Sequence, residues 1–381
     1  MTTQRSVALD TAARTGSPPG NGHAHTGPPA DDAVLQPLAG TSARMGLDPL
    51  AERLLELRAW LDDDLRSLER GIADVRDAVG NNGPDLAQRA ANHLLVQSGK
   101  RIRPLCVIIS ARLGDLEMTP AVRDLAISAE LVHAATLLHD DVIDMGTERR
   151  GAPTSRLIYG NSASILGGDH LLIEALRRVS AVGHNGLFTS LLQVITGMIA
   201  AEALQLERRG RFEPDRDIYM RVVEGKTAVL FRWGLEAGST VAGLPPESID
   251  TLRMIGLRFG TAFQLIDDLL DLDGDPHETG KNAFADLREG KLTWPLIVGS
   301  ERDPRLADLL GSVIGEPGRV DDPAFGSEVV MRLRETDAFN ETRALADHHA
   351  DLALEGASRL QPGRARDALS AVVQAAVRRS S

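Results

Sequence analysis

Cysteine is nearly absent from this 381-residue chain, in which Cys106 stands alone. No intrachain disulfide can form, and a reducing compartment, the cytoplasm, is expected. Cys106 lies in an apolar run and reads as a small buried side chain. Aromatic residues make up only 3%, and alternating β-branched runs are scarce, which speaks against a β fold. Positive charge is in deficit, with a net charge of -12. Nucleic acid and a polybasic membrane anchor are therefore not expected as partners, although a local basic pocket is still allowed. No uninterrupted apolar run reaches the length of a membrane span, and the N-terminus lacks the apolar centre of a signal peptide. At most, peripheral membrane contact is expected.

Ala, Leu, Arg and Glu dominate, and these residues favour helix. Hydrophobic residues make up 43%, enough for a sizeable core. Residues 1–45 are rich in Gly, Pro, Thr and Ala without apolar periodicity, and read as a disordered leader in which His23 and His25 carry no metal role. Helical spacing begins near Leu47 and continues through Leu50, Leu54, Leu57, Leu61, Leu65 and Leu68. Further helices are expected at about 105–113, 121–145, 161–182, 186–208, 215–242, 247–273, 291–299, 303–314, 326–358 and 363–379. The expected architecture is all-α, a single large helical bundle over residues 46–381 around a central cavity.

Two stretches carry chemistry. In LLHDDVIDMGTERRG, Asp140 and Asp144 are four apart, so they share one helical face, with Asp141 beside them. In FQLIDDLLD the pattern repeats with Asp267, Asp268 and Asp271. A solvated acidic helix end would explain either cluster alone, but Asp sits poorly against a helix C-terminal dipole. Clustered carboxylates ask for a shared hard cation such as Mg²⁺, which takes one or two carboxylates plus phosphate oxygens. Arg149 and Arg150 offer guanidinium forks for such an anion.

Six segments then match one family in order and spacing: GKRIRP (99–104), ELVHAATLLHDDVIDMGTERRGAPT (130–154), GNSASILGGDHLL (160–172), GKTAVLF (225–231), FQLIDDLLDLDGDPHETGK (263–281) and ADLREGKLTWPLI (285–297). The chain resembles an (E)-polyprenyl diphosphate synthase of the polyprenyl synthetase, or trans-isoprenyl diphosphate synthase, family. The match covers roughly residues 85–300 closely and the last helices loosely. The resemblance implies an isoprenoid-synthase type bundle and a homodimer. It implies a reaction that joins isopentenyl diphosphate to an allylic diphosphate (geranyl, farnesyl or geranylgeranyl). About three Mg²⁺ ions per site, or Mn²⁺ in their place, would assist ionisation.

By the same resemblance, Asp140, Asp144 and Asp267 are the leading metal ligands, with Asp141, Asp268 and Asp271 completing the motifs. Lys226, Lys281, Lys291 and Arg149 pull on the departing diphosphate. Lys100, Arg103, His133 and Arg150 hold the second one. Thr227 and Gln264 steady the cation through oxygen dipoles, against the plainer reading of a capping Thr and a structural Gln. His133 lies seven residues before Asp140, two turns along the same face. His139 points about 100° away from Asp140 and is expected to serve structure. The glycine-rich run 274–281 is no nucleotide loop, since neither a preceding strand nor a following Ser or Thr is present.

Product length should be written on the helix before Asp140. Thr136, Val132 and Ser128 recede from it one turn, about 5.4 Å, at a time. Ala135 and Leu131 form the neighbouring track. Short-chain relatives carry a bulky aromatic in the first layer, whereas this chain has Ala135 and Thr136, so a product longer than farnesyl is expected. The run AAEALQL, with Glu202 and Gln205, also resembles the long-chain branch. Phe188 or Met198 could close the tunnel from another helix. Competing readings are a geranylgeranyl diphosphate synthase, a terpene cyclase of the same fold, and a non-catalytic subunit. The basic corner argues against the cyclase, and the complete set of aspartates against the silent subunit.

Overall fold

The computed structural model describes residues 35–78, 85–97, 99–273, 284–315 and 317–378. Residues 1–34 of the expected leader and Lys281 lie outside the described residues. The helices, in chain order, are α1 (Gln36–Arg44), α2 (Asp48–Trp60), α3 (Asp62–Asp77), α4 (Leu86–Leu95), α5 (Ile102–Arg112) and α6 (Pro120–Ile143). A two-residue hairpin, β1 (Glu148–Arg149) and β2 (Ala152–Pro153), interrupts them. There follow α7 (Ser155–Tyr159), α8 (Asn161–Ala181), α9 (Asn185–Arg208), α10 (Arg216–Val223), a π turn (Glu224–Ala228), α11 (Val229–Val241) and α12 (Pro246–Asp273). The chain closes with α13 (Ala285–Arg288), α14 (Trp294–Arg302), α15 (Pro304–Gly315), α16 (Pro323–Glu335), α17 (Ala338–Ser358) and α18 (Arg364–Val377).

The bundle is built around α6. Thr119 caps it by accepting from the Val122 amide at 3.2 Å, and Pro120 occupies the first turn, where its missing N–H costs nothing. Its side chains are apolar nearly all round, as in a helix buried on every side. It packs against α8 and α5, while α11 packs on α5 and α12, and α12 on α17. Gly260 sets how closely α12 approaches the π turn. A Cβ there would lie 2.4 Å from the Ala228 Cα, a distance real side chains do not tolerate. That contact brings the second acidic stretch against residues 224–228.

Several boundaries differ from the sequence reading. Residues 36–44 are helical although they fall in the expected leader. Leu35 and Leu38 are fully buried there, and burial of each contributes about 1.5–3 kcal/mol, which a nine-residue helix could not supply alone. The first leucine series breaks at Leu61 into α2 and α3. The expected 326–358 helix breaks at Asp337, which takes a left-handed φ of 59°. The α9 helix is long and apolar enough to cross a membrane by length and composition, which corrects the expectation that no such stretch exists. One side of α9, with Leu187, Leu191, Val194 and Met198, faces the core, while Leu192 and Ile199 are exposed.

Candidate active site

The first acidic cluster closes α6. Asp144 is the C-cap, and its carboxylate is held by Lys291 Nζ at 2.7 Å and Arg209 Nη1 at 3.4 Å. Arg209 also donates to the Ile143 carbonyl at 2.7 Å, one of the carbonyls a helix end leaves unpaired. Asp140, one turn earlier, lies 3.4 Å from Lys226 Nζ. Cations are what a carboxylate pair at a negative helix terminus requires. Asp141 turns the other way: it is buried, accepts from Arg149 Nε at 2.8 Å, and ties the β1–β2 hairpin to α6. Burial raises the pKa of both Asp140 and Asp141, offset in part by Lys226 and Arg149 respectively.

The second cluster lies near the end of α12. Asp268 is buried and accepts hydrogen bonds from the Tyr219 hydroxyl and from Gln264 Nε2 at 2.9 Å. Burial, with Asp286 and Asp267 nearby, drives its pKa well above the usual carboxylate range. Asp271 accepts the backbone N–H groups of Ala285 at 3.0 Å and Asp286 at 3.3 Å, and so fixes the start of α13. Asp141, Asp268 and Asp271 were expected as metal ligands. Their carboxylates accept from Arg149, from Tyr219 and Gln264, and from the Ala285 and Asp286 amides respectively, and they lie beside Asp140, Asp144 and half-buried Asp267.

The π turn joins the two clusters. Lys226 reaches Asp140 and Gln205 Oε1 (3.1 Å) and forms an ion pair with Glu202. Its neighbour Thr227 donates to Gln264 Oε1 at 2.9 Å, and Gln264 in turn bonds Asp268. Two adjacent residues thus touch both acidic helices. A π turn widens the helix by one residue, and such bulges recur at functional sites. Burial opposes the charge on Lys226, but Asp140 and Glu202 outweigh it and hold the ammonium protonated.

Opposite lies the basic corner. Arg101 takes a left-handed φ of 45° and is buried between Glu130 Oε1 (2.6 Å) and Glu69 Oε1 (3.1 Å), which fix the corner. Arg103 stacks its guanidinium 4.7 Å from the Phe231 ring centre and leaves a buried Nε without a hydrogen bond. Burial, reinforced by Arg103, Arg150 and Arg149, pushes His133 well below its usual pKa, so its ring is neutral at pH 7. The charge of Asp267 acts on Arg103 and links the corner to the second acidic stretch. Lys100 is exposed at the rim. Arg150 donates to the Gln97 carbonyl at 3.1 Å, and its Nη1 would lie 2.9 Å from a Cβ placed on Gly99. Glycine leaves that guanidinium room. An arginine pair around a neutral imidazole is a ready anion site.

Of the expected product-length track, Leu131, Val132 and Ala135 are buried in the core, and half-buried Thr136 donates to the His133 carbonyl at 2.8 Å. Ser128 is fully buried, and its hydroxyl donates to the Asp124 carbonyl at 2.6 Å and to the Ala175 carbonyl of α8 at 3.1 Å. His139 bonds across to the Ile165 carbonyl at 3.2 Å, in keeping with a structural role. Sequence reasoning missed Arg209, Tyr219, Glu130 and Phe231. Each acts on a residue far away in the chain, and periodicity carries no signal of that.

Among the described residues, no group of three or more His, Cys, Asp or Glu side chains is placed to hold a metal ion by itself. The donors present are hard carboxylates at two helix ends, matched by lysines and arginines. That set fits Mg²⁺ taken up together with phosphate oxygens and is unsuited to a soft-metal site.

Residues 84–323 match the polyprenyl synthetase family. The chain belongs to that family. It is 32% identical over 302 residues to heptaprenyl diphosphate synthase component 2 of Geobacillus stearothermophilus, covering 79% of this chain and 91% of the relative. It is 34% identical over 322 residues to nonaprenyl diphosphate synthase of Mycobacterium tuberculosis, covering 82% and 93%. The fold superposes on a polyprenyl synthase from Caulobacter crescentus, solved with calcium and isoprenyl diphosphate. The TM-score is 0.78 at 33% identity, over 86% of this chain and 98% of that one. As a polyprenyl synthetase, the chain is an all-α prenyltransferase, and the relatives favour a product longer than farnesyl over the geranylgeranyl alternative.

Proposed function

We infer that this prenyltransferase joins isopentenyl diphosphate to an allylic diphosphate and releases a long-chain polyprenyl diphosphate. The observation that carries this is the π turn: Lys226 and Thr227, adjacent in sequence, bind the two acidic helices at once, with a separate basic corner at Arg103 whose charge is coupled to Asp267. Two diphosphates need two basic sites, and a cyclase would need only one.

Asp140, Asp144 and Asp267 would hold Mg²⁺. The bound ions supply Lewis-acid neutralisation of the leaving diphosphate. Lys226 and Lys291 are preorganised cations aimed at the same oxygens. Each is kept protonated by carboxylates that outweigh the burial opposing it. Thr227 and Gln264 present oxygens to the cationic carbon. Arg103, Lys100, Arg150 and neutral His133 bind isopentenyl diphosphate, with His133 donating a hydrogen bond and not a charge. The released diphosphate accepts the proton. Leu131, Val132 and Ala135 guide the growing chain.

The partner is a second copy. Ile165, Leu166 and Ile173 on α8, and Leu192 and Ile199 on α9, are large apolar side chains 41–64% exposed, and a homodimer would cover them. The relative named component 2 raises the alternative of a partner subunit. The single cysteine suits a cytoplasmic enzyme.

One assay tests the whole reading: the purified chain, Mg²⁺, labelled isopentenyl diphosphate and geranyl, farnesyl or geranylgeranyl primer. Chromatography should show a product well beyond farnesyl. A product ending at farnesyl would refute the open track, and no product at all would point to the partner subunit.

A further inference from the structure

Beside Asp144, and sharing Arg209 with the active site, lies a cleft of about 180 Å³. It is lined by Arg209, Arg211 and Arg288 and by the apolar side chains of Phe212, Leu310 and Val313. The Gly210 N–H donates to the Gly290 carbonyl at 3.2 Å and ties the two walls together. Glu289, also in the lining, shares Lys291 with Asp144, each at 2.7 Å, and Arg288 is paired with Asp321 at 3.0 Å. Among the described residues, exposed Arg211 has no side-chain partner. Arg209 is shared: it lines the cleft and also leans on Asp144 at 3.4 Å.

We propose that this cleft is a second ligand site, coupled to the active site through Arg209, for an organic phosphate with a short apolar tail. Arg211, without a side-chain partner among the described residues, stands beside two paired guanidinium groups and apolar side chains, a lining that suits that chemistry. The volume is below the ~300–1,000 Å³ that drug-sized ligands fill, so the tail is short. The sign of the coupling follows from the geometry and rests on the metal role given to Asp144. A divalent cation held by Asp144 would draw that carboxylate from Arg209 and leave more of the guanidinium's charge to the cleft, while Nη1 keeps its 2.7 Å bond to the Ile143 carbonyl. The two ligands therefore bind cooperatively, and by linkage each tightens the other by the same factor.

The test is calorimetric titration of the full-length chain with n-pentyl phosphate. One sample is left free, and one is first saturated with Mg²⁺ and a non-hydrolysable bisphosphonate to block the active site. One equivalent should bind to the blocked chain, at least about fivefold more tightly than to the same cleft in the free chain. Arg211→Ala should weaken it by about tenfold while product formation stays unchanged. Binding that vanishes on blocking, that is looser in the blocked chain, or that is indifferent to Arg211→Ala would overturn the proposal. If bisphosphonate and Mg²⁺ themselves fail to bind, the prenyltransferase reading of Asp144 falls. The cleft is then judged on the free chain, where Arg211→Ala must still weaken n-pentyl phosphate.

Discussion

Lys226→Met removes a side chain that meets Asp140, Glu202 and Gln205 together. The volume is nearly kept and the charge is lost. Loss of one preorganised donor costs about 10²–10³ in kcat, or roughly 2.7–4 kcal/mol. Lys291 acts on the same diphosphate, so we expect the lower end, about 100-fold in kcat with a smaller change in KM. Stability should fall as well, because Asp140 and Glu202 are left facing each other. Breaking a fully buried pair costs about 3–5 kcal/mol. About a fifth of each side chain is exposed here, and screening reduces the figure to about 1–2 kcal/mol. The sign with pH is set by Asp140, whose pKa burial has already raised. The loss is present while Asp140 is ionised and shrinks as falling pH protonates it. Steady-state kinetics and thermal unfolding at several pH values measure both effects. A variant with kcat within threefold of wild type would show that Lys226 does not act on the leaving group.

Ala135→Phe should shorten the product, read by chromatography, and cost about 1–3 kcal/mol from overpacking a buried site; an unchanged product would remove α6 from the tunnel wall. Gly99→Ala should leave unfolding nearly unchanged, because only the mobile end of Arg150 must shift, while KM for isopentenyl diphosphate rises several-fold; an unaltered KM would place Arg150 outside the substrate site. Buried His349, beside Arg258, is pushed down to about 4 from 6.5. The unfolded chain therefore binds the extra proton first, and stability falls as pH drops from about 6.5 toward 4, by at most about 3 kcal/mol. His349→Gln should flatten that slope in pH-dependent denaturation, and a parallel slope would refute the assignment.

The acidic helices were legible because spacing alone puts Asp140 and Asp144 on one face and repeats the pattern at Asp267 and Asp271. What those carboxylates do individually was not legible. Asp141, Asp268 and Asp271 look equivalent to their neighbours in sequence. In space their partners differ: Arg149, Tyr219 and the Ala285 amide reach these three, whereas Lys226, Lys291 and Arg209 reach Asp140 and Asp144. The π turn was hidden for a related reason. One extra residue per turn barely disturbs a 3.6-residue pattern, yet it lets Lys226 and Thr227 serve different helices. Breaks at Leu61 and Asp337 carry no Gly or Pro, so turn chemistry gave no warning. The α1 helix was missed because its stability comes from burying Leu35 and Leu38 against α2 and α18, not from local preference.

The central claim is that two carboxylate-bearing helix ends share divalent ions with a diphosphate. A crystal structure grown with Mn²⁺ and a bisphosphonate, with anomalous maps, tests it most directly. The account predicts Mn²⁺ peaks bridging phosphonate oxygens to Asp140 and Asp144 on one side and to Asp267 on the other. Ordered bisphosphonate with those three carboxylates turned into bulk solvent, and no anomalous peak beside them, would contradict it.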